Sequence, residues 1–179
     1  MIYYQDETLL IRSIEEKDFP LIEESFRKQG WHKPAAQYAA YYRDQQEGKR
    51  QVFTAFVNGT FAGYVTLLPQ AHSGPFAGKG VPEISDFNVL IAFQRRGVGS
   101  RLMDAAEKAA GAICGTVSLG VGLHAGYGSA QRMYVKRGYI PDGSGVWYQD
   151  AVLTPYTACV NDDDLVLYLS KQLKQPAEK

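Results

Sequence analysis

Cysteine is scarce in this chain, with only Cys114 and Cys159 in 179 residues. The two are widely spaced and match no metal-ligand or redox pattern. A disulfide framework and a cysteine-built metal site are therefore excluded, and two free thiols are expected in a reducing compartment. Long apolar stretches are missing too. No uninterrupted aliphatic or aromatic run exceeds five residues, as in Val89–Phe93, against the ~20 that span a bilayer. The first eighteen residues interleave apolar positions with Asp6, Glu7, Arg12, Glu15 and Glu16, so the apolar stretch of a signal peptide is absent and a cytoplasmic, non-membrane protein is expected. Net charge is missing as well: 19 Lys and Arg balance 19 Asp and Glu. The basic footprint of a nucleic-acid binder is not there. No repeat or low-complexity linker divides the chain, and its length suits one domain with one core.

What is present is a regular succession of patterns. Thr8–Ile14 reads as a first strand, and Asp18 opens a helix whose apolar face is Phe19, Leu21, Ile22 and Phe26. A second helix follows Pro34 with Tyr38, Tyr41 and Tyr42 on one side. Strands Gln51–Val57 and Phe61–Leu68 flank Asn58-Gly59, a strong hairpin signal. Ala71–Lys79 reads as a mobile loop. Strand Glu83–Leu90 leads into Gln94-Arg95-Arg96-Gly97-Val98-Gly99-Ser100, and apolar residues at three- and four-residue steps make a helix from about Val98 to Ile113. Strand Thr116–Val121, helix Ser129–Arg137, and strands Gly145–Gln149 and Leu165–Ser170 complete the order. These elements predict a mixed α/β sheet covered on both faces.

The strand–turn–helix at Glu83–Ile113 carries the most chemistry. Gly97 and Gly99 let the turn pass close to a ligand, and the helix that starts there has a positive end that attracts phosphate. Arg95 and Arg96 add fixed charge and Ser100 a hydroxyl. The spacing alone also fits a plain glycine turn with solvated arginines. A Walker-type loop is absent. Gly120-Val121-Gly122-Leu123-His124-Ala125, with Asp142 downstream, matches a dinucleotide fingerprint in letters, but too little chain follows to complete that fold.

Gln94-x-x-Gly97-x-Gly99 followed by Leu102-Met103 resembles the acyl-CoA pyrophosphate loop of the GNAT N-acetyltransferase superfamily. Ala130-x-x-Met133-Tyr134-x-x-x-Gly138-Tyr139 is similar to that family's A-x-x-L-Y-x-x-x-G-F helix. The resemblance implies a splayed mixed β-sheet of six to seven strands with helices on both faces, formed by residues 1–172 as a single acyl-CoA N-acyltransferase domain, with 173–179 a polar tail. It implies acetyl-CoA as the acyl donor, lying in a V-shaped opening with its pantetheine along Phe87, Asn88 and Val89. An N–H near Val89 would polarise the thioester. Gln94, Arg95, Arg96, Gly97, Val98, Gly99 and Ser100 would hold the pyrophosphate. The family places an asparagine where this chain has Tyr127, so a pantetheine contact passes to Ser129.

The same resemblance makes Tyr134 the acid for the departing coenzyme A sulfur, a role its high phenol pKa suits; the competing reading is a tyrosine packed in the core. Glu83, eleven positions before Gln94, stands where some members carry a general base, and a solvated strand-end carboxylate is the equal alternative. Asp86, on the opposite face if the strand is regular, is the runner-up, and His124 a further candidate. The acceptor, a small-molecule or peptide amine, would meet Trp31, His32, Tyr38, Tyr41, Tyr42, Trp147, Tyr148 and the loop Asp150–Asp164, although core packing explains most of these. The competing function classes are a non-catalytic acyl-CoA-binding or interaction module of the same fold and a dinucleotide-binding oxidoreductase. The oligomeric state is open, a homodimer among the options.

Overall fold

The computed structural model describes residues 1–173, so the expected polar tail lies outside the described residues from position 174 on. Strand pairing continues through Gln172, and the Leu173 amide still donates to the Gly115 carbonyl at 2.7 Å. Among the described residues there are nine strands and four α-helices, and no helix is long and apolar enough to cross a membrane. Packing divides the chain into two compact units, Met1–Leu68 with Ile84–Ala109, and Pro69–Glu83 with the chain from Ala110 on.

The first unit contains β1 (Ile2–Gln5), β2 (Leu9–Ser13), α1 (Asp18–Lys28), α2 (Ala35–Gln46), β3 (Gln51–Val57), β4 (Thr60–Leu68), most of β5 (Glu83–Val89) and most of α3 (Val98–Gly111). Its strands lie in chain order, β1-β2-β3-β4-β5. Asn58 and Gly59 form the expected two-residue turn, with φ of 48° and 77° and Val57 opposite Thr60; both must be left-handed for the turn to match strand twist. Ile14, Ile22, Phe26, Tyr38, Val52, Phe56, Phe61 and Tyr64 form the buried core. Its entry point is the buried Asp18, which takes both Nη atoms of Arg12 at 2.7 and 2.8 Å and the Glu15 amide at 2.8 Å. A buried carboxylate persists because it is paired this fully.

Gly63 on β4 is where β5 comes closest. A Cβ there would lie 2.5 Å from the Asn88 carbonyl oxygen and 2.9 Å from the Val89 Cα. Both are backbone atoms and cannot rotate away. Gly63→Ala is therefore expected to destabilise the protein by about 1–3 kcal/mol, the usual cost of overpacking. The check is the urea midpoint, which should fall with an unchanged slope; an unmoved midpoint would mean β5 can shift without cost.

The second unit contains β6 (Thr116–Gly122), α4 (Gly128–Lys136), β7 (Ile140–Tyr148), β8 (Ala151–Val152) and β9 (Leu165–Gln172), in sheet order β6-β9-β7-β8, all antiparallel. The first residue of β5 belongs here, Glu83 pairing parallel with Ser118. Parallel and antiparallel pairing together make the fold the mixed α/β class expected.

The strand count is nine rather than six to seven. β1 was missed because it is a short edge segment, and β8 because two residues carry no period. The start of β7 was missed because Asp142-Gly143-Ser144-Gly145 reads as a turn. It is instead a bulge, with Gly143 and Gly145 at φ of 90° and 89° and the register with β9 shifting between Pro141 and Val146. The glycine-rich 71–79 segment is tied down rather than free: the buried Ala71 donates to Val81, and Gly74 packs against the Tyr168 ring.

Candidate functional site

The turn after β5 is shaped by its own hydrogen bonds. The Phe93 amide donates to Leu90 at 2.8 Å, and the Gln94 amide to Ile91 at 3.3 Å. The Gln94 side chain returns to the Val89 carbonyl at 3.1 Å. The Gln94 amide thus closes the turn and its side chain holds the strand end. Arg95 and Gly97 are left-handed, at φ of 59° and 82°, and the first helical bond runs from Arg101 to Gly97 at 3.1 Å. The amides of Val98, Gly99 and Ser100 have no acceptor within their own helix, by helix geometry. Left-handed positions feeding a helix N-terminus are the backbone pattern that concentrates amides on an anion. Arg96 keeps its guanidinium at this turn, 5.8 Å from the Phe93 ring centre. Arg101 is turned elsewhere, over Tyr4 and beside Asp104.

The two glycines differ in their reasons. Gly97 faces open space and is needed for its left-handed φ. Gly99 sits at ordinary backbone angles, but a Cβ there would meet Phe87 Cζ at 3.1 Å and Val89 Cγ2 at 3.5 Å. Its smallness seats α3 on β5, where close ligand approach had been the expectation.

Asp86 is the largest departure from a regular strand. It sits inside β5 at φ of 45°, which breaks the alternation that assigned it a face. Its Oδ1 accepts from Lys33 Nζ at 2.9 Å and Asn88 Nδ2 at 2.8 Å. Its Oδ2 accepts from Gln37 Nε2 at 3.0 Å, Tyr41 at 3.0 Å and Tyr64 at 2.6 Å. A carboxylate offers about four lone-pair positions, so five donors occupy it fully. Burial, then the Asp86 charge, push the Tyr41 phenol up to about 12 and the Tyr64 phenol higher still, so both stay donors. Of these partners only Tyr41 and Asn88 drew attention in the sequence. Lys33, Gln37 and Tyr64 carried no pattern, since only the fold brings their elements to one carboxylate.

In the second unit, Tyr134 is buried on α4, its ring 5.8 Å from that of Tyr139. Burial, with Tyr127 adding to it, holds its phenol well above the ordinary value near 10. Ser129 is exposed in the first turn of α4. Glu83 is half-buried at the parallel pairing with Ser118, and its charge adds to burial in raising the Tyr168 phenol. His124 has both ring nitrogens engaged: Nδ1 accepts from the Gly126 amide at 3.0 Å and Nε2 lies 3.0 Å from Asp163. A nitrogen that receives an N–H leaves the ring proton on the other, so His124 donates to Asp163 and offers no lone pair.

The aromatic residues considered for the acceptor are mostly packed: Tyr38 in the core, Tyr42 against Phe19, Trp31 stacked on Phe26, and Trp147 against Tyr168. The dinucleotide fingerprint fails on placement. Gly120 and Gly122 lie within β6, where they make room for Tyr168 and Tyr127, and form no strand-to-helix turn.

A family model described as the acetyltransferase (GNAT) family matches residues 10–139. Solved structures agree in fold. RimL, a ribosomal L7/L12 alpha-N-protein acetyltransferase in complex with coenzyme A, has a TM-score of 0.70 at 13% identity, over 97% of this chain and 98% of its own. The protein yncA from Salmonella typhimurium, with its cofactor acetyl-CoA, has 0.67 at 17%, over 96% and 98%. An acetyltransferase of the GNAT family from Streptococcus pneumoniae has 0.66 at 18%, over 93% and 99%. No curated protein matches the sequence.

Proposed function

Because the chain belongs to the GNAT acetyltransferase family, we propose that it moves acetyl from acetyl-CoA to a primary amine of a small molecule or peptide by direct attack. The observation that carries this reading is the turn from Arg95 to Ser100, where left-handed backbone, a helix N-terminus and Arg96 converge. That arrangement suits a diphosphate. Phe87, Asn88 and Val89 supply the strand along which pantetheine runs, and an N–H near Val89 meets the developing oxyanion. Ser129 contributes a hydroxyl to the same cosubstrate.

The amine nitrogen attacks the carbonyl carbon, the C–S bond breaks, and Tyr134 gives its proton to the sulfur. A phenol held above its ordinary pKa is fully protonated at neutral pH and ready to donate. Glu83 takes the proton from the amine. Glu83 carries this role because it stands where some family members place a general base, with Asp86 and His124 as the alternatives. Replacing Glu83 by Gln should therefore remove the acidic limb of the kcat/KM profile, since the rate no longer depends on deprotonating a carboxylate. A retained limb would reassign the base.

The reading as a whole is tested by thiol release from acetyl-CoA across a panel of primary amines. Release with at least one amine supports it. Tight acetyl-CoA binding without release from any amine would indicate a binding module instead. RimL is described as modifying an alpha-amino group of a ribosomal protein, which favours including peptide N-termini in the panel. The acceptor is the partner proposed here, and a cytoplasmic location and a homodimer remain expectations.

A further inference from the structure

We propose that Asp86 is the seat of the acceptor's ammonium group and that Lys33 fills this seat until the acceptor displaces it. The inference rests on the acetyltransferase reading and specifies how that enzyme recognises and gates its amine.

Four of the five donors on Asp86 belong to regular elements: Gln37 and Tyr41 on α2, Tyr64 on β4, and Asn88 on β5. Lys33 reaches in from the connection between α1 and α2, just before Pro34. If Lys33 leaves, the carboxylate keeps its four neutral donors and loses its ion-pair partner, a vacancy that another ammonium fills. Lys33 is thus the replaceable donor, and it is also the one that carries charge. Its ammonium lies 2.9 Å from Asp86 Oδ1, 3.2 Å from the Tyr64 hydroxyl and 5.9 Å from the centre of the Tyr64 ring. That is the surrounding a primary ammonium selects: a carboxylate, a phenol oxygen and an aromatic face.

Two further features point the same way. Asp86 is held at φ of 45°, a conformation a non-glycine residue keeps only when its neighbours enforce it, and such positions concentrate at functional sites. Asn88, which shares Oδ1 with Lys33, is the neighbour of Val89 on β5, the residue assigned to the thioester. The side chains of Lys33 and Asp86 are 23% and 15% exposed, so an incoming amine can reach the pair.

An internal ligand lowers the apparent affinity of an external one by the fraction of time the seat is open. Removing it should strengthen amine binding, whereas removing a genuine substrate-binding lysine would weaken it. The test is a titration of the 15N-labelled full chain with butylammonium chloride, without acetyl-CoA, following the side-chain carboxamides of Asn88 and Gln37. Lys33→Met is expected to bind at least about fivefold tighter than wild type, and Lys33→Arg, which refills the seat, no tighter than wild type. Tetramethylammonium, which has no N–H, should leave the two carboxamides unmoved. Lys33→Ala repeats the measurement in case the methionine variant does not fold. In turnover, the same variants should lower KM for the amine and leave KM for acetyl-CoA unchanged. Weaker or unchanged amine binding in both neutral variants, or no response of the carboxamides in any protein, overturns the proposal. Wild type that binds butylammonium but turns over no amine would instead count against the acetyltransferase reading.

Discussion

Removing one oxygen atom, in Tyr134→Phe, is expected to reduce kcat by about 100-fold or more, the range lost with a general acid. The ring stays, so its contact with Tyr139 and the packing of α4 should survive. The affinity for acetyl-CoA should hardly change, because the phenol acts on the leaving sulfur and not on the diphosphate. Burial sets the pH behaviour. A phenol raised above its ordinary value remains protonated as pH climbs through 10, so Tyr134 imposes no alkaline loss of rate in the accessible range. Single-turnover kinetics with tightly bound acetyl-CoA is the measurement. An unchanged chemical step would reduce Tyr134 to a packed core tyrosine.

Asp86→Ala should have the largest effect on stability, a loss of about 3 kcal/mol, the lower end of what deleting one member of a buried ion pair costs, since this network is only partly buried. Lys33 would lose its ion-pair partner in a half-buried place, and Gln37, Tyr41, Tyr64 and Asn88 would each lose an acceptor. Alanine would also have to adopt the left-handed backbone at this position, which adds about 1 kcal/mol or more. Asp86→Asn keeps the shape and tolerates that backbone, and should recover part of the loss. Urea unfolding of both variants distinguishes this from a surface carboxylate, for which Ala and Asn would be equally mild.

Much of the candidate site was legible because its chemistry is local. Gly97 is needed for a left-handed turn, and the helix that follows must expose its first amides; both are consequences of consecutive residues. The A-x-x-M-Y spacing places Tyr134 on the buried face of α4 for the same reason. The hairpin at Asn58-Gly59 and the core face of Phe19, Ile22 and Phe26 were legible too, since period and turn chemistry are short-range, whereas Leu21, expected on the same face, is exposed. By contrast, Gly99 was assigned to ligand approach when its constraint is the Phe87 ring, a contact made by a different element.

The amino-acid order by itself determined the mixed α/β class, the glycine turn entering a helix and the family, because each is assembled from patterns that are local in the chain. Only the tertiary structure decided that Asp86 is saturated, that His124 has no lone pair to offer, and that Lys33, Gln37, Tyr41, Tyr64 and Asn88 converge on one carboxylate. Lys33 and Asp86 stand 53 positions apart. Such a pairing depends on loop closure and on a left-handed residue inside a strand, and no local periodicity records either.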